Sequence, residues 1–163
     1  MKGHPDVILR LNELLVGELT AIDQYFIHSR LCREWGFYSL YEHIDHEMRE
    51  EQDHADRLIV RILFLEGMPD LSRRQPLKVG RDVPEVLHND LAVEYRVIAD
   101  LREAMALCES VRDYETRNIL LGLLKDTEED HAFWLEIQLG LIQKLGLENY
   151  LQSQTEPYAS PGD

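Results

Sequence analysis

Four stretches of this chain set their apolar residues at alternating steps of three and four, and each puts an acid into that apolar line. Such spacing keeps side chains on one face of an α-helix, and a line several turns long is a seam for packing against other helices. The first seam is Ile8, Leu11, Leu15, Glu18, Ile22 and Tyr25, and the second is Leu40, Ile44, Glu47, Glu51, His54, Leu58 and Ile62. The third is Leu87, Leu91, Glu94, Ile98, Leu101 and Met105, and the fourth is Leu120, Leu124, Glu128, His131, Leu135, Gln138 and Ile142. A chain patterned this way folds as an all-α bundle whose core has to accommodate carboxylates.

The breakers divide the chain accordingly. The first helix is predicted from Pro5 to Glu34, ending at Gly36, and the second from Phe37 to Leu65, stopped by Gly67 and Pro69. Residues 67–82 (GMPDLSRRQPLKVGRD) have no helical period and form a long connection. Asp82, Pro84 and Glu85 give the third helix an N-terminal capping box, and it runs to Val111. The fourth covers Tyr114 to Leu145 and stops at Gly146; a short fifth, LENYLQSQ (147–154), precedes a flexible tail at 155–163. Short turns pair the helices as two antiparallel hairpins, and the long connection crosses between them, making residues 1–154 one four-helix bundle with a single crossover.

The two halves repeat. Glu18 and Glu94 stand 76 residues apart, while Glu51 and Glu128 stand 77 apart. The extra residue falls where the fourth seam steps twice by four, from Leu120 to Leu124 to Glu128. A one-residue insertion in a helix is absorbed as a π-type turn, so one is expected near Asp126–Thr127.

Charge and cysteine content narrow the function. A formal net charge of −14, with no basic tail, argues against nucleic acid and favours attraction of cations. No apolar run reaches the ~20 residues of a membrane span. Cys32 and Cys108 lack metal-ligand spacing and read as reduced core residues of a cytoplasmic protein.

An unpaired buried carboxylate costs several kcal/mol, so such groups are neutralised, paired or bound to metal. Glu18, Glu51, Glu94 and Glu128 with His54 and His131 cannot all pair among themselves, whereas two divalent cations balance four carboxylates. Carboxylate oxygen with imidazole nitrogen suits iron or manganese, and the absence of thiolates argues against structural zinc or iron–sulfur clusters. Glu51-x-x-His54 and Glu128-x-x-His131 both lie on seams; Glu85-x-x-His88 does not and is set aside.

With GELTAIDQYFIHSR (17–30), RILFLEG (61–67), DLAVE (90–94), EEDHAFWLE (128–136) and LGLENYLQSQ (145–154), the chain resembles a bacterioferritin from Met1 to about Gln154. The resemblance implies a ferritin-like bundle, a cytoplasmic cage of 24 subunits storing ferric mineral, and a di-iron ferroxidase centre oxidising Fe²⁺ with O₂ or peroxide. Carried over residue by residue, Glu51 and Glu128 would bridge two irons, Glu18 and His54 would complete one, and Glu94 and His131 the other. Tyr25 matches a tyrosine beside the centre, and Trp134 a nearby tryptophan. His46 and Glu50 match an inner-surface iron site, where the family usually has aspartate in place of Glu50. Asn149 and Gln152 would line a pore at the four-fold axis.

One position departs from the pattern. Where the family places a haem-ligand methionine, two residues before the first ligand histidine, this chain has Gln52, with Met48 one turn earlier. A homo-oligomer is therefore expected to lack endogenous haem, while a mixed cage with a methionine-bearing subunit would supply it. Two rival readings stay open here: a di-iron redox enzyme without a storage role, and a catalytically inactive cage subunit that co-assembles with a haem-binding one. A DNA-protecting mini-ferritin is disfavoured by the charge and by both halves of the site lying on one chain.

Overall fold

The computed structural model describes residues 1–156, so the predicted tail lies, from residue 157 onward, outside the described residues. Helix α1 spans Pro5–Glu34, α2 Tyr38–Phe64 and α3 Val83–Ser110. The fourth rod is α4 Tyr114–Asp126, a π-helical segment Thr127–Ala132, and α5 Phe133–Leu145, followed by α6 Leu147–Ser153. No strand occurs among the described residues, and none of their helices is long and apolar enough to cross a membrane. The all-α, ferritin-like reading with a short C-terminal helix is borne out.

Each helix ends where the local chemistry requires. Asp82 caps α3 by accepting the Glu85 N–H at 2.9 Å, as the sequence predicts. The returning Glu85 carboxylate accepts instead from the Arg81 N–H at 2.8 Å, one residue before the expected Asp82. The turn after α1 closes with Gly36 at φ 86, and the Phe37 N–H reaches back to the Cys32 carbonyl at 2.9 Å. The same closure follows α3, where Arg112 takes the left-handed conformation at φ 61 and the Asp113 N–H reaches the Cys108 carbonyl at 2.9 Å.

The crossover is fastened along α1 by a polar stripe. Asn12, Thr20, Gln24 and His28 recur at multiples of four, on one face of the helix. They accept, in order, the backbone N–H of Asp70, Gln75, Lys78 and Gly80, at 2.8, 2.9, 3.1 and 2.9 Å. The connection thus runs parallel to α1 for most of its length and delivers α3 antiparallel to it. Because His28 Nε2 accepts from Gly80, its Nδ1 carries the proton and donates to Asp90 of α3 at 2.7 Å. Asp90 also accepts from Gln24 at 2.8 Å, which sets the register of α3 against α1. That register brings Glu94, one turn beyond Asp90, level with Tyr25.

Most seam residues fill the core: Leu11, Leu15, Leu40, Leu58, Ile62, Leu87, Leu101 and Leu120 are each at most 1% exposed. Helix α6 is anchored inside its own chain, with Tyr150 buried and its hydroxyl donating to Gln138 at 2.9 Å. Asn149 and Gln152 are exposed on it.

Candidate metal centre

Three rods bring an acid, and the fourth an imidazole, to one cluster at mid-bundle. Glu18, Glu51, His54, Glu94 and His131 are each 2% exposed or less, inside a shell of aliphatic side chains. Glu51 is the hub. Its Oε1 lies 2.8 Å from His131 Nδ1 and its Oε2 lies 3.1 Å from His54 Nδ1. The two imidazoles are nearly parallel, with centroids 5.6 Å apart. Two ligand-type groups result, Glu18 with Glu51 and His54, and Glu51 with Glu94 and His131, each with donor atoms within 4.8 Å of one another.

Electrostatics show what the centre lacks. Burial first, then repulsion from Glu51 and Glu94, raises the Glu18 pKa well above the ordinary carboxylate value. Burial opposes the Glu51 charge too, yet hydrogen bonds from His131 and His54 overcome it and hold that pKa well below normal. His131 is pushed the other way: burial disfavours its cation, but Glu47, Glu51 and Glu94 raise its pKa far above the usual imidazole range. Glu18 Oε2 and Glu94 Oε2 remain buried with no hydrogen-bond donor among the described residues. Buried oxygen acceptors facing no donor, beside imidazole nitrogens, are a donor set that divalent cations fit.

Tyr25 donates its hydroxyl proton to Glu94. Trp134 stacks on His43 with ring centroids 3.7 Å apart. Both line a small cavity of about 10 Å³ together with Glu47, Asp90, Glu94 and His131. Tyr25 and Trp134 thus lie beside the buried carboxylate–imidazole cluster.

Glu128 does not join the cluster. Its side chain is 36% exposed, and its Oε1 accepts from Arg102 of α3 at 2.5 Å. The reason lies in the π-helical segment that begins at Thr127, at the expected position. In an α-helix, residues three apart lie close to one face; the wider π turn opens that angle. His131 points inward while Glu128 points outward, so the Glu-x-x-His spacing that holds on α2 is broken here by the one-residue insertion.

The inner-surface pair is close but exposed, His46 Nε2 lying 3.4 Å from Glu50 Oε1. Glu50 also approaches His131 Nε2 at 3.2 Å. Spacing alone marks Glu47 only as a seam residue. In the structure it is buried, lies 2.8 Å from His131 Nε2 and 2.8 Å from His43 Nε2, and with Glu50 and His131 forms a third ligand-type group. The signal was present in the seam, where Glu47, one turn before Glu51, is an acid with no pairing of its own. Gln52 is exposed on α2, whereas Met48 is 7% exposed and packs into the core.

Comparison with known proteins agrees with this architecture. The model of the ferritin-like domain family matches residues 8–145. A bacterial ferritin of Synechocystis sp. is 62% identical over 154 residues, covering 94% of this chain and 99% of that protein. A bacterial ferritin of Pseudomonas aeruginosa is 58% identical over the same shares. A bacterioferritin of Brucella melitensis is 44% identical over 157 residues, covering 96% and 97%. This kinship supports iron storage, and the buried carboxylate–imidazole groups fit a metal site. From its seam acids to its crossover and short last helix, the chain belongs to the ferritin-like family, alongside the bacterial ferritins and bacterioferritins.

Proposed function

We propose that this protein is a ferroxidase that stores iron: it oxidises Fe²⁺ with O₂ or peroxide inside its own bundle and passes ferric iron into a cage of 24 copies in the cytoplasm. The observation that carries this reading is the sharing of Glu51 between two ligand groups, Glu18/Glu51/His54 and Glu51/Glu94/His131. A carboxylate with one oxygen toward each imidazole is placed to span two cations held one on either side.

The residues divide the work. Glu18 and His54 bind one Fe²⁺ and Glu94 and His131 the other, while Glu51, joined by Glu128, spans the pair. Binding displaces protons from Glu18 and His131, both of which favour their protonated forms in this environment. Two ferrous ions held together deliver two electrons to one oxidant, which avoids release of one-electron products. Hard carboxylates then favour the ferric product. Tyr25 donates its hydroxyl to one Glu94 oxygen and so fixes that carboxylate's orientation, and Trp134 closes the side of the centre next to it. Glu47, Glu50 and His46 form an acidic path on the face of α2 toward which oxidised iron would move, and Asn149 and Gln152 would border the pore between copies.

The position of Glu128 on Arg102 favours a second reading, an inactive subunit that only builds the cage. Anomalous scattering at the iron edge from crystals grown anaerobically with Fe²⁺ separates the two. Two iron peaks per chain, one near each ligand group, support the ferroxidase; a single peak or none favours the structural subunit.

A further inference from the structure

Arg102 sits on α3 at 65% side-chain exposure and donates to Glu128 Oε1 at 2.5 Å, the one member of the proposed ligand set held outside the core. Three features meet at this pair. Glu128 belongs to the π-helical segment, whose altered register aims it away from His131. The core already holds the carboxylates of Glu18, Glu47, Glu51 and Glu94 against the imidazoles of His54 and His131, all less than 10% exposed. One more carboxylate there would be a buried charge without a partner, and such a charge costs several kcal/mol. Outside, Arg102 offers it a charge-assisted bond in water.

We propose that Arg102 is a positioning residue of the metal centre: it competes with the second cation for the carboxylate of Glu128. This rests on the ferroxidase reading above, in which Glu128 spans the two irons. The exchange is balanced by design of charge. An ion pair this exposed is held weakly, so a dication offering an inward partner displaces it. A buried pair of the same kind would hold too tightly. Arg102 keeps Glu128 within reach of the centre while the inward turn waits on a second positive charge, so the four-carboxylate arrangement forms only with both cations bound.

Co²⁺ binding to the assembled, chelator-treated protein tests this without reference to activity, read from the d–d absorption of the first two equivalents per chain. Arg102→Gln removes the competitor, and its second Co²⁺ should bind about twofold to fivefold more tightly than in wild type. Arg102→Lys keeps the charge and should restore affinity close to wild type. Raising salt screens an exposed pair, so it should tighten the second site in wild type relative to Arg102→Gln and close the gap between them. Equal or weaker binding by Arg102→Gln, or a gap that salt leaves unchanged, overturns the proposal. Glu128→Ala separates it from the reading beneath: if its second Co²⁺ binds as in wild type, Glu128 is not a ligand and the bridging assignment fails first. If Glu128→Ala weakens that site and Arg102→Gln adds nothing in the double variant, both stand.

Discussion

Glu51 and His131 meet across the bundle, oxygen to nitrogen at 2.8 Å, from helices brought together only by the crossover. Glu51 also holds His54 at 3.1 Å, so a single carboxylate organises both ligand groups. Glu51→Ala should therefore weaken both metal sites and not one. Loss of groups that merely orient a ligand costs 10–100-fold in affinity, so loss of this shared ligand should cost at least ~100-fold at each site. Isothermal titration with Co²⁺ measures this; one site surviving intact would show that Glu51 serves only its own helix.

Acid stability should carry the signature of Glu47. Burial opposes its charge, but hydrogen bonds from His131 and His43 outweigh that and lower its pKa from 4.5 to about 2. A depressed carboxylate pKa adds stability that is complete above the unfolded value and is lost as pH falls through the folded one. The unfolding free energy of chelated wild type should exceed that of Glu47→Gln by about 3 kcal/mol above pH 5. The gap should shrink as pH drops from about 4.5 toward 2. Urea melts across that range measure it, and a gap that widens in acid would mean Glu47 is not held as its anion.

The turn after α3 stores removable strain. Arg112 adopts φ 61, and it stands 76 residues after Gly36, which closes the matching turn after α1 at φ 86. A non-glycine residue in the left-handed region costs about 1–2 kcal/mol, part of which glycine returns through its looser unfolded chain. Arg112→Gly should stabilise the fold by about 0.5–1 kcal/mol, read as a higher thermal midpoint. An unchanged or lower midpoint would mean that Arg112 makes a compensating contact.

Haem should be absent from homo-oligomers of this chain. Gln52 is exposed on α2 but offers no thioether, and Met48, which does, is packed into the core. Absorbance of protein expressed alone should show no Soret band, and a band would require another ligand.

The seams made the bundle legible in advance, because alternating steps of three and four with acids inside them leave few other folds. The crossover could be placed from its prolines and glycines, and the π turn from one extra residue between Glu51 and Glu128. What the spacing could not give was rotation within that turn: Glu128 and His131 keep a Glu-x-x-His interval, yet the wider register sends one out to Arg102 and the other in to Glu51. Arg102 carries no such periodicity, since it lies off its seam and meets Glu128 only through tertiary packing. Glu47 was visible in its seam, but its bond to His131 depends on where the fourth rod lands. The stripe of Asn12, Thr20, Gln24 and His28 was likewise legible only as polar residues on α1 until the crossover lay along it.

Stopped-flow absorbance in air, with Fe²⁺ added stepwise to chelated protein from below one to many per chain, bears most directly on the ferroxidase assignment. A ferroxidase of this design shows a fast oxidation phase that saturates at two Fe²⁺ per chain and disappears in Glu51→Ala. Slow oxidation with no break at two, unchanged by that substitution, would contradict it.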